Sequence, residues 1–289
     1  MSVFNNSGHG ASETMVLQWS QLSQAFKKRP RDANKGDFGH VLVIGGDYGF
    51  GGAVHMAAEA ALRVGAGLVS VATHAEHVLS INETRPEIMC HAVEEPIALE
   101  SLLKKATVIV VGPGLQQNNW SKDLFKTALK TIKPTVVDAD ALNLLSKNPQ
   151  KENHWILTPH VGEAARLLSC DSHGIQKDRV HAIKTLVKKY DGVVVLKGAG
   201  TLIADKKEGP FICNAGNPGM ASGGMGDVLS GVIGGLLAQH FSLLSAAKTG
   251  VMLHALAGDL AAKEKGERGL LASDLMPYLQ RLVNPEHEA

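Results

Sequence analysis

Residues 106–114 read ATVIVVGPG, a run of apolar and β-branched residues that passes directly into a glycine-containing turn. The run is continuously apolar and does not alternate between apolar and polar residues. This pattern is typical of a strand that is covered on both faces, as in a parallel sheet. Most of the other strands that we predict have the same character, and they span residues 40–46, 67–73, 134–140, 155–160, 192–198 and 200–205.

Longer segments with a helical pattern lie between or after these strands. We predict helices near residues 52–65, 119–132, 160–169, 174–190, 218–239, 241–262 and 271–283. The alternation of strands and helices predicts an α/β fold with a doubly wound, mostly parallel central sheet and helices on both faces, which makes three layers. Residues 192–205 differ, because two strands flank a short Gly-Ala-Gly turn there, and we predict a hairpin at one edge of the sheet.

The chain of 289 residues has no internal repeat, low-complexity tract or linker that would divide it. This length fits one large α/β domain. We predict a single domain over residues 37–289, preceded by residues 1–36 as an N-terminal arm or leading helix.

Charge and composition exclude several classes of partner. A formal net charge of +1 and an aromatic content of 4% provide neither a basic footprint nor a base-stacking surface for nucleic acid. The amino terminus lacks the features of a secretion signal, and the longest apolar stretch, residues 228–238, is too short to span a bilayer. Three scattered cysteines without a C-x-x-C pair fit a reducing compartment. We therefore expect a cytoplasmic protein that binds neither nucleic acid nor membrane.

Glycine-rich or acidic loops follow several of the predicted strands, where open α/β sheets bind their ligands. These loops read GGDYGFGGA, GPGL, DADAL, TPHVGE and KGAGT. The glycine-rich stretches fit neither the G-x-G-x-x-G dinucleotide fingerprint in register nor a Walker A loop. Their backbone N–H groups could nevertheless line an anion or a nucleotide.

The stretch NAGNPGMASGGMGDVLSG, residues 214–231, places one acid, Asp227, among glycines at the start of a long apolar helix. Ser222 is a candidate N-cap, and free N–H groups in the first turn would favour a negative ligand. Glycines 231, 234 and 235 predict a helix face that packs tightly against a neighbouring element. The plainer alternative is that Asp227 only complements the positive end of the helix.

These motifs, in this order, resemble the ADP/ATP-dependent NAD(P)H-hydrate dehydratases of the ribokinase-like superfamily. The resemblance covers roughly residues 36–283 and includes VVGPGL, VVDADALNLL, LTPHVGEAARLL, VVLKGAGTLIAD and the glycine-acid stretch. Related kinases carry Gly-x-Gly-Asp with the aspartate as base. The family is often fused to an epimerase domain, for which 289 residues leave no room, so we expect a stand-alone dehydratase.

The resemblance implies roles for particular residues. It assigns Asp227 as the catalytic base and as a contact to the hydrated dinucleotide, together with Ala53, Gly114 and His160. The residues that it assigns to the adenine nucleotide are Lys197, Gly198, Ala199, Gly200, Thr201 and Gly226. Read without the family, Lys197 to Thr201 are an ordinary hairpin, and a histidine such as His160 is more often structural.

Three further acids are candidates for holding a metal. His160 and Glu163 form a His-x-x-Glu pair where the related kinases have Asn-x-x-Glu with the acid near Mg²⁺, so Glu163 is expected to help hold Mg²⁺ through water. Asp138 and Asp140 follow a strand and could serve a metal or the substrate, although Asp140 could equally be the N-cap of a helix. The histidine in place of asparagine favours the dehydratases over the kinases.

The activity that the resemblance implies is repair of a damaged cofactor. The S-epimer of hydrated NADH or NADPH would be dehydrated at the expense of ADP or ATP with Mg²⁺, giving AMP and phosphate where ADP is the donor. Relatives suggest a homotetramer. One alternative is a ribokinase-like kinase of a small vitamin alcohol, of the hydroxymethylpyrimidine or hydroxyethylthiazole type. A second alternative is a nucleotide sensor without catalytic activity, which would need the glycine loops but not Asp227.

Overall fold

The computed structural model describes residues 14–284, so residues 1–13 of the predicted arm and residues 285–289 lie outside the described part. Its strands are β1 (Met15–Val16), β2 (His40–Ile44), β3 (Leu68–Thr73), β4 (Met89–Ala92), β5 (Val108–Val111), β6 (Thr135–Val137), β7 (Trp155–Leu157), β8 (Val193–Leu196), β9 (Thr201–Ala204) and β10 (Phe211–Cys213). They form one sheet in the order β1-β10-β9-β8-β7-β6-β5-β2-β3-β4. β9 runs antiparallel to its two neighbours, and the other pairs are parallel.

Twelve α-helices surround the sheet in the described part of the chain. They are α1 (Trp19–Leu22), α2 (Gly51–Arg63), α3 (Ala75–Thr84), α4 (Pro96–Lys105), α5 (Asn119–Ala128), α6 (Ala139–Lys147), α7 (Val161–Leu168), α8 (Ser172–Lys177), α9 (Arg179–Tyr190), α10 (Met225–Ala238), α11 (Leu243–Lys265) and α12 (Met276–Leu282). Short 3₁₀ turns span Ser23–Ala25, Lys35–Phe38, Pro218–Met220 and Ala272–Leu275. No helix in this range is long and apolar enough to cross a membrane.

The three-layer α/β/α prediction is confirmed by the two faces of the sheet. On β2, Val41 and Val43 pack into a core with α2, α10, α11 and α12. Leu42 and Ile44 point the other way, into a core with α4, α5, α6, α7 and α9. Residues of the central strands are therefore buried on one face or the other, which explains why these strands are continuously apolar.

Three short strands were not predicted. β1 and β10 have two and three residues, too few to show a period, and β4 reads MCHA with both of its end residues exposed. The predicted hairpin of β8 and β9 is present, but its position at the edge of the sheet is wrong, because β10 and then β1 continue the sheet beyond it. Part of the predicted N-terminal arm thus adds the last strand of the sheet.

Several helix boundaries also differ from the prediction. α3, α4 and α6 were not predicted, and α6 begins where the strand over residues 134–140 was expected to end. The predicted helix over 174–190 is two helices, because Asp178 ends α8 and its side chain accepts a hydrogen bond from the His181 N–H at the start of α9 (2.8 Å). The predicted helix over 218–239 becomes α-helical only at Met225.

The contact between α2 and α10 positions the start of α10. A Cβ on Gly231 would lie 2.0 Å from the carbonyl oxygen of Ala57, and one on Gly235 would lie 2.7 Å from that of Ala61. The tight face predicted from the glycines is therefore confirmed. The two helices run in parallel, and each advances by one turn between these two contacts. Extended by one turn toward the helix starts, this register predicts that Ala53 lies near Asp227.

Candidate active site

Three carboxylates surround one lysine at the carboxyl ends of β6, β7 and β8. Lys197 follows β8, Asp138 follows β6, and Glu163 lies in the first turn of α7. Lys197 Nζ lies 2.7 Å from Asp138 Oδ1 and 3.8 Å from Glu163 Oε2. The backbone N–H of Lys197 donates to the carbonyl of Pro159 (2.8 Å), which ties the ends of β7 and β8 together. The third carboxylate, Asp227, also acts on the charge of Lys197 from the first turn of α10.

Asp138 is the buried anchor of this group. Its side chain is 1% exposed, and its Oδ2 accepts a hydrogen bond from Ser230 Oγ (2.6 Å) in the middle of α10. Burial by itself raises the pKa of Asp138, but the Lys197 ammonium and the hydrogen bonds from Lys197, Ser230 and Thr158 outweigh it, so the pKa lies below its ordinary value. Asp138 is therefore an anion that fixes the lysine in place.

The other two carboxyl groups hold protons more tightly than usual. Burial raises the pKa of Asp227 to about 7; the nearby Asp138 adds to the shift and Lys197 opposes it. Burial also raises the pKa of Glu163 to about 7, with Lys197 opposing the shift and Asp138 adding to it. For Lys197 burial lowers the pKa, but Asp138 and Glu163 raise it above its ordinary value. A group with a pKa near neutral can accept or donate a proton at physiological pH.

The start of α10 is open for an anion. Gly224 is the N-cap, with a φ of 89° that favours glycine, and it supplies no side-chain cap. Helix starts leave N–H groups without intrahelical partners, and these groups attract negative charge. A Cβ added to Gly226 would lie 3.3 Å from Lys197 Nζ, so the ammonium lies against the same turn. The expected Ser222 cap is wrong, since Ser222 Oγ donates to the carbonyl of Leu270 (3.1 Å).

The upstream NAGNPG segment is held by α11. The N–H of Gly216 and the side-chain amide of Asn217 donate to the two carboxylate oxygens of Asp259, each at 2.9 Å. Asn217 also caps the 3₁₀ turn that follows by accepting from the N–H of Gly219 (3.0 Å). These contacts position the chain just before the open turn of α10. Nothing in the local pattern predicted Asp259 as the partner.

Two glycine loops meet beside the start of α2. The N–H of Asp47 donates to the carbonyl of Gly114 (2.7 Å), which joins the loop after β2 to the loop after β5. Gly114 has a φ of 58°, and a Cβ there would lie 2.8 Å from Phe50 Cβ and 3.1 Å from Ala53 Cβ. Ala53 and Gly114 are therefore neighbours, although they are 61 residues apart in the sequence.

His160 is the N-cap of α7. Its Nδ1 accepts hydrogen bonds from the N–H groups of Gly162 (2.9 Å) and Glu163 (3.3 Å), while Glu163 Oε2 accepts from the N–H of His160 (2.7 Å). Since Nδ1 is an acceptor, the ring proton is on Nε2. Nε2 lies 3.3 Å from Glu163 Oε1, and the His160 side chain is 55% exposed, so the outer edge of the ring is accessible beside Glu163. His160 therefore has the structural role that was its alternative interpretation, and its exposed ring edge can also contact a ligand.

The hairpin turn after Lys197 is held by Arg179. Arg179, at the start of α9, donates from Nη1 to the carbonyl of Ala199 (2.6 Å) and from Nη2 to that of Leu196 (3.0 Å). Thr201 Oγ1 donates to the carbonyl of Gly198 (2.9 Å). The turn is therefore built and braced before any ligand arrives, by an arginine that the sequence pattern did not single out.

Comparison with known proteins identifies the family. Residues 41–281 match the family model described as NAD(P)H-hydrate dehydratase. The chain belongs to this family. Over 274 residues the chain is 58% identical to the bifunctional NAD(P)H-hydrate repair enzyme Nnr of Coxiella burnetii, an alignment that covers 95% of this chain and 56% of that protein. The chain thus spans little more than half the length of that relative.

Two further members of the NAD(P)H-hydrate dehydratase family match over nearly their whole length. The ADP-dependent (S)-NAD(P)H-hydrate dehydratase of Neisseria meningitidis is 37% identical over 288 residues, which cover 95% of each chain. The ADP/ATP-dependent NAD(P)H-hydrate dehydratase of Bacillus subtilis, co-crystallised with ATP/Mg²⁺, superposes with a TM-score of 0.85 at 28% identity, covering 95% of this chain and 99% of that one. The fold of the chain is accordingly ribokinase-like.

The predicted residues lie at three places in the structure. Lys197, Gly226, Asp227 and Glu163 lie together at the starts of α10 and α7, and His160 caps α7. Gly198 to Thr201 lie in the turn braced by Arg179, and Ala53 and Gly114 lie next to each other where the loops after β2 and β5 meet.

The structure differs from the predictions for two acids, Asp140 and Asp138. The N-cap role for Asp140 is wrong, because Asp138 occupies that position of α6, and Asp140 Oδ2 accepts from the N–H of Gln116 (2.9 Å). Asp138 binds Lys197 and Ser230, so both of its oxygens already have partners. Ser230 was missed; the available signal was a polar residue three positions after Asp227 in an otherwise apolar helix.

Proposed function

We propose that this chain dehydrates the S-epimer of hydrated NADH and NADPH back to NAD(P)H, with ADP as the co-substrate and AMP and phosphate as the other products. The observation that carries the proposal is Asp227, whose pKa is raised to about 7 at an open helix start beside Lys197. The family membership and the whole-length match to the N. meningitidis dehydratase support it.

The chemical problem is a poor leaving group. The hydrated ring carries a hydroxyl on the carbon next to the ring nitrogen, and hydroxide leaves with difficulty. In the first step the hydroxyl oxygen attacks the terminal phosphorus of the nucleotide, the bond from that phosphorus to the bridging oxygen breaks, and Asp227 accepts the hydroxyl proton. AMP leaves when the donor is ADP, and the ring now carries a phosphate ester.

The second step restores the double bond. The lone pair of the ring nitrogen expels phosphate and forms an iminium ion, and the released phosphate accepts a proton from the adjacent carbon, which gives the dihydronicotinamide. For the first step the substrate hydroxyl and the terminal phosphorus must lie next to each other at the first turn of α10. The helix register that predicts Ala53 near Asp227, and the closeness of Ala53 to Gly114, support a substrate pocket beside this turn.

The positive charges of the site serve the phosphoryl group. The N–H groups at the start of α10 and the Lys197 ammonium converge on Gly226, where charge develops on the transferred oxygens. Asp138 does not touch the substrate in this scheme and is a positioning residue for Lys197. The braced turn from Gly198 to Thr201 is proposed to hold the adenine nucleotide, with His160 donating from Nε2 to the dinucleotide.

Magnesium is proposed to enter with the nucleotide. No group of three or more His, Cys, Asp or Glu side chains among the described residues could hold a metal ion alone. Mg²⁺ usually takes one or two carboxylates, water and substrate phosphates, so the residues fit a phosphate-bound ion that Glu163 contacts through water. When bound, the ion would neutralise charge on the phosphates. The second candidate carboxylate is Asp140, which is partly exposed and lies two residues after Asp138.

We also propose a phosphoryl donor, an oligomeric state and a cellular location, each of which can be measured directly. We propose ADP over ATP because the N. meningitidis relative is named ADP-dependent. We also propose a homotetramer, which light scattering of the purified chain tests, and a cytoplasmic location, which fractionation of the source cells tests.

The decisive experiment mixes the purified chain with hydrated NADH or NADPH, Mg²⁺ and either ADP or ATP. We expect the dihydronicotinamide absorbance to return with ADP, with AMP and phosphate in equal amount, and no recovery without nucleotide. Recovery with ATP alone would reverse the donor assignment. No recovery with either nucleotide, together with a stable phosphate ester of a vitamin alcohol, would show a kinase instead.

A further inference from the structure

Three aromatic rings are stacked beside the glycine loop that follows β2. The Tyr48 and His74 rings lie 4.0 Å apart between centroids with planes 13° apart, and the His74 and Trp120 rings lie 4.1 Å apart with planes 24° apart. The three residues come from the loop after β2, the end of β3 and the start of α5. None of them belongs to the motifs that carry the family resemblance.

Hydrogen bonds hold the middle ring on both sides. His74 Nε2 lies 3.1 Å from Asp47 Oδ1, and His74 Nδ1 lies 2.7 Å from Glu94 Oε2. Each ring nitrogen thus has a carboxylate partner, and these two contacts fix the plane of the ring. At 4% exposure the His74 side chain is buried between the two outer rings.

Trp120 and the anchoring acid, Asp47, are also held by hydrogen bonds. Asp47 Oδ2 accepts from the side-chain amide of Asn118 (2.5 Å), and Trp120 Nε1 donates to the carbonyl of Val93 (2.8 Å). The stack is therefore a rigid support, built by four separate segments of the chain. Its last member, Tyr48, is 60% exposed.

The exposed ring belongs to the loop that also contacts Gly114, one of the proposed substrate-binding residues. Tyr48 follows Asp47, whose N–H is bonded to the carbonyl of Gly114, and Phe50, 46% exposed, packs against Gly114 and Ala53. A Cβ added at Gly49 or Gly52 would meet no atom within 4 Å. The loop therefore presents aromatic surface and open space next to Gly114 and Ala53.

We infer that Tyr48 is a stacking platform for the adenine ring of the hydrated dinucleotide. The inference rests on the proposed function, which places the reacting hydroxyl at Asp227. The hydrated nicotinamide ring contains tetrahedral carbons and is a poor partner for a flat ring, whereas the adenine at the other end is flat and aromatic. Base stacking on a single side chain changes affinity by about ten-fold when the ring is removed.

The test compares ligands with and without adenine. Calorimetry measures the binding of NADH, of reduced nicotinamide mononucleotide and of ADP to the wild-type chain, Tyr48→Ala and Tyr48→Phe. We expect Tyr48→Ala to bind NADH about ten-fold more weakly and the other two ligands as wild type does. Tyr48→Phe keeps the ring and should restore most of the NADH affinity. Ile132→Ala, an exposed apolar residue before β6, is the matched surface control.

Several results would overturn the inference. An equal loss for NADH and the mononucleotide would mean that the loop supports the reacting ring, and a loss for ADP would mean that the platform serves the co-substrate. Unchanged NADH binding in a folded Tyr48→Ala chain, checked by its melting temperature, would remove Tyr48 from the site. Binding does not need turnover, so these results leave the dehydratase proposal standing; a wild-type chain that neither binds NADH nor repairs its hydrate would overturn both.

Discussion

At the scale of single residues, the site works through the contrast between Asp138 and Asp227. Both are aspartates near the same lysine, but Asp138 receives hydrogen bonds from Lys197 and Ser230, whereas burial dominates at Asp227. One is therefore a permanent anion, and the other has a pKa of about 7. In the proposed mechanism the first carboxylate is therefore a positioning residue and the second is the candidate for proton transfer.

Replacement of Asp227 by asparagine tests the base directly. Asp227→Asn keeps the size of the side chain but removes the proton acceptor, so we expect kcat to fall by about 10²–10⁴-fold. Binding of ADP, measured by calorimetry, should change little. Full activity in this variant would refute the assignment of the base.

The pH dependence of the reaction should follow the same group. Asp227 must be ionised to accept a proton, so kcat/KM should fall ten-fold per pH unit as the pH drops below about 7. Because Glu163 also has a pKa of about 7, the profile is measured again in Glu163→Gln. The acid limb should persist there; its loss would transfer the proton acceptor to Glu163.

At the scale of elements, the first turn of α7 contains the carboxyl group of Glu163, whose charged form is disfavoured by burial. Glu163 caps the helix by accepting from the N–H of His160, yet it is 5% exposed and its pKa is raised to about 7. A carboxyl group whose pKa is higher in the folded state stabilises the fold below its unfolded pKa, near 4.5, and this contribution is lost as the pH rises through 7.

Glu163→Gln should therefore stabilise the protein at pH 8. Glutamine preserves the reciprocal cap and removes the buried charge, so we expect a gain of about 1–2 kcal/mol in the free energy of unfolding. The gain should disappear near pH 4, where the wild-type residue is protonated in both states. Urea unfolding at the two pH values measures it. Glu163→Ala removes the cap as well, and a gain of the same size in that variant would contradict the explanation.

The contact between α2 and α10 depends on glycine for its distance. A Cβ on Gly231 would lie 2.0 Å from the carbonyl oxygen of Ala57, so Gly231→Ala must push the two helices apart. We expect a loss of about 3 kcal/mol in the free energy of unfolding and weaker activity, since the register of Asp227 against Ala53 would change.

A helical glycine elsewhere provides the control for this variant. At Gly174, in α8, an added Cβ meets its nearest atom at 3.6 Å, which is an ordinary contact. Gly174→Ala should be neutral or stabilise the protein by up to about 1 kcal/mol, because alanine favours helix. If both variants lost the same free energy of unfolding, the close approach of α2 and α10 would not explain the effect of Gly231→Ala.

At the scale of the whole molecule, the buried pair of Lys197 and Asp138 ties together elements far apart in the sequence. Asp138 follows β6, Lys197 follows β8, and Ser230 joins them from α10 on one face of the sheet. Removing one partner leaves a buried charge without compensation, which usually costs about 3–5 kcal/mol.

A double-mutant cycle should reveal this coupling. We expect Asp138→Asn and Lys197→Met each to lose about 3 kcal/mol in the free energy of unfolding, and the double variant to lose less than their sum. Urea unfolding at pH 7 measures all four chains. Strict additivity would mean that the two side chains do not act as a pair.

How far the sequence predicts this fold is clear from individual elements. β2, β5 and β8 were predicted because they are buried on both faces, so their composition alone reveals them. β1 and β10 were missed because two or three residues show no period, and they become strands only through the free edge that β9 offers. The break between α8 and α9 was missed because it depends on the side chain of Asp178 turning back to cap α9.

The sequence by itself determined the layered α/β architecture, the open glycine turn at the start of α10 and the acid within it. These features follow from composition over a few neighbouring residues, where burial on both faces and backbone freedom leave a direct signature. Only the tertiary structure decided that Lys197 meets Asp138, 59 residues away, and that Ser230 joins them. It also decided that Tyr48 rests on His74, since a contact between distant segments depends on how the sheet brings its strand ends together.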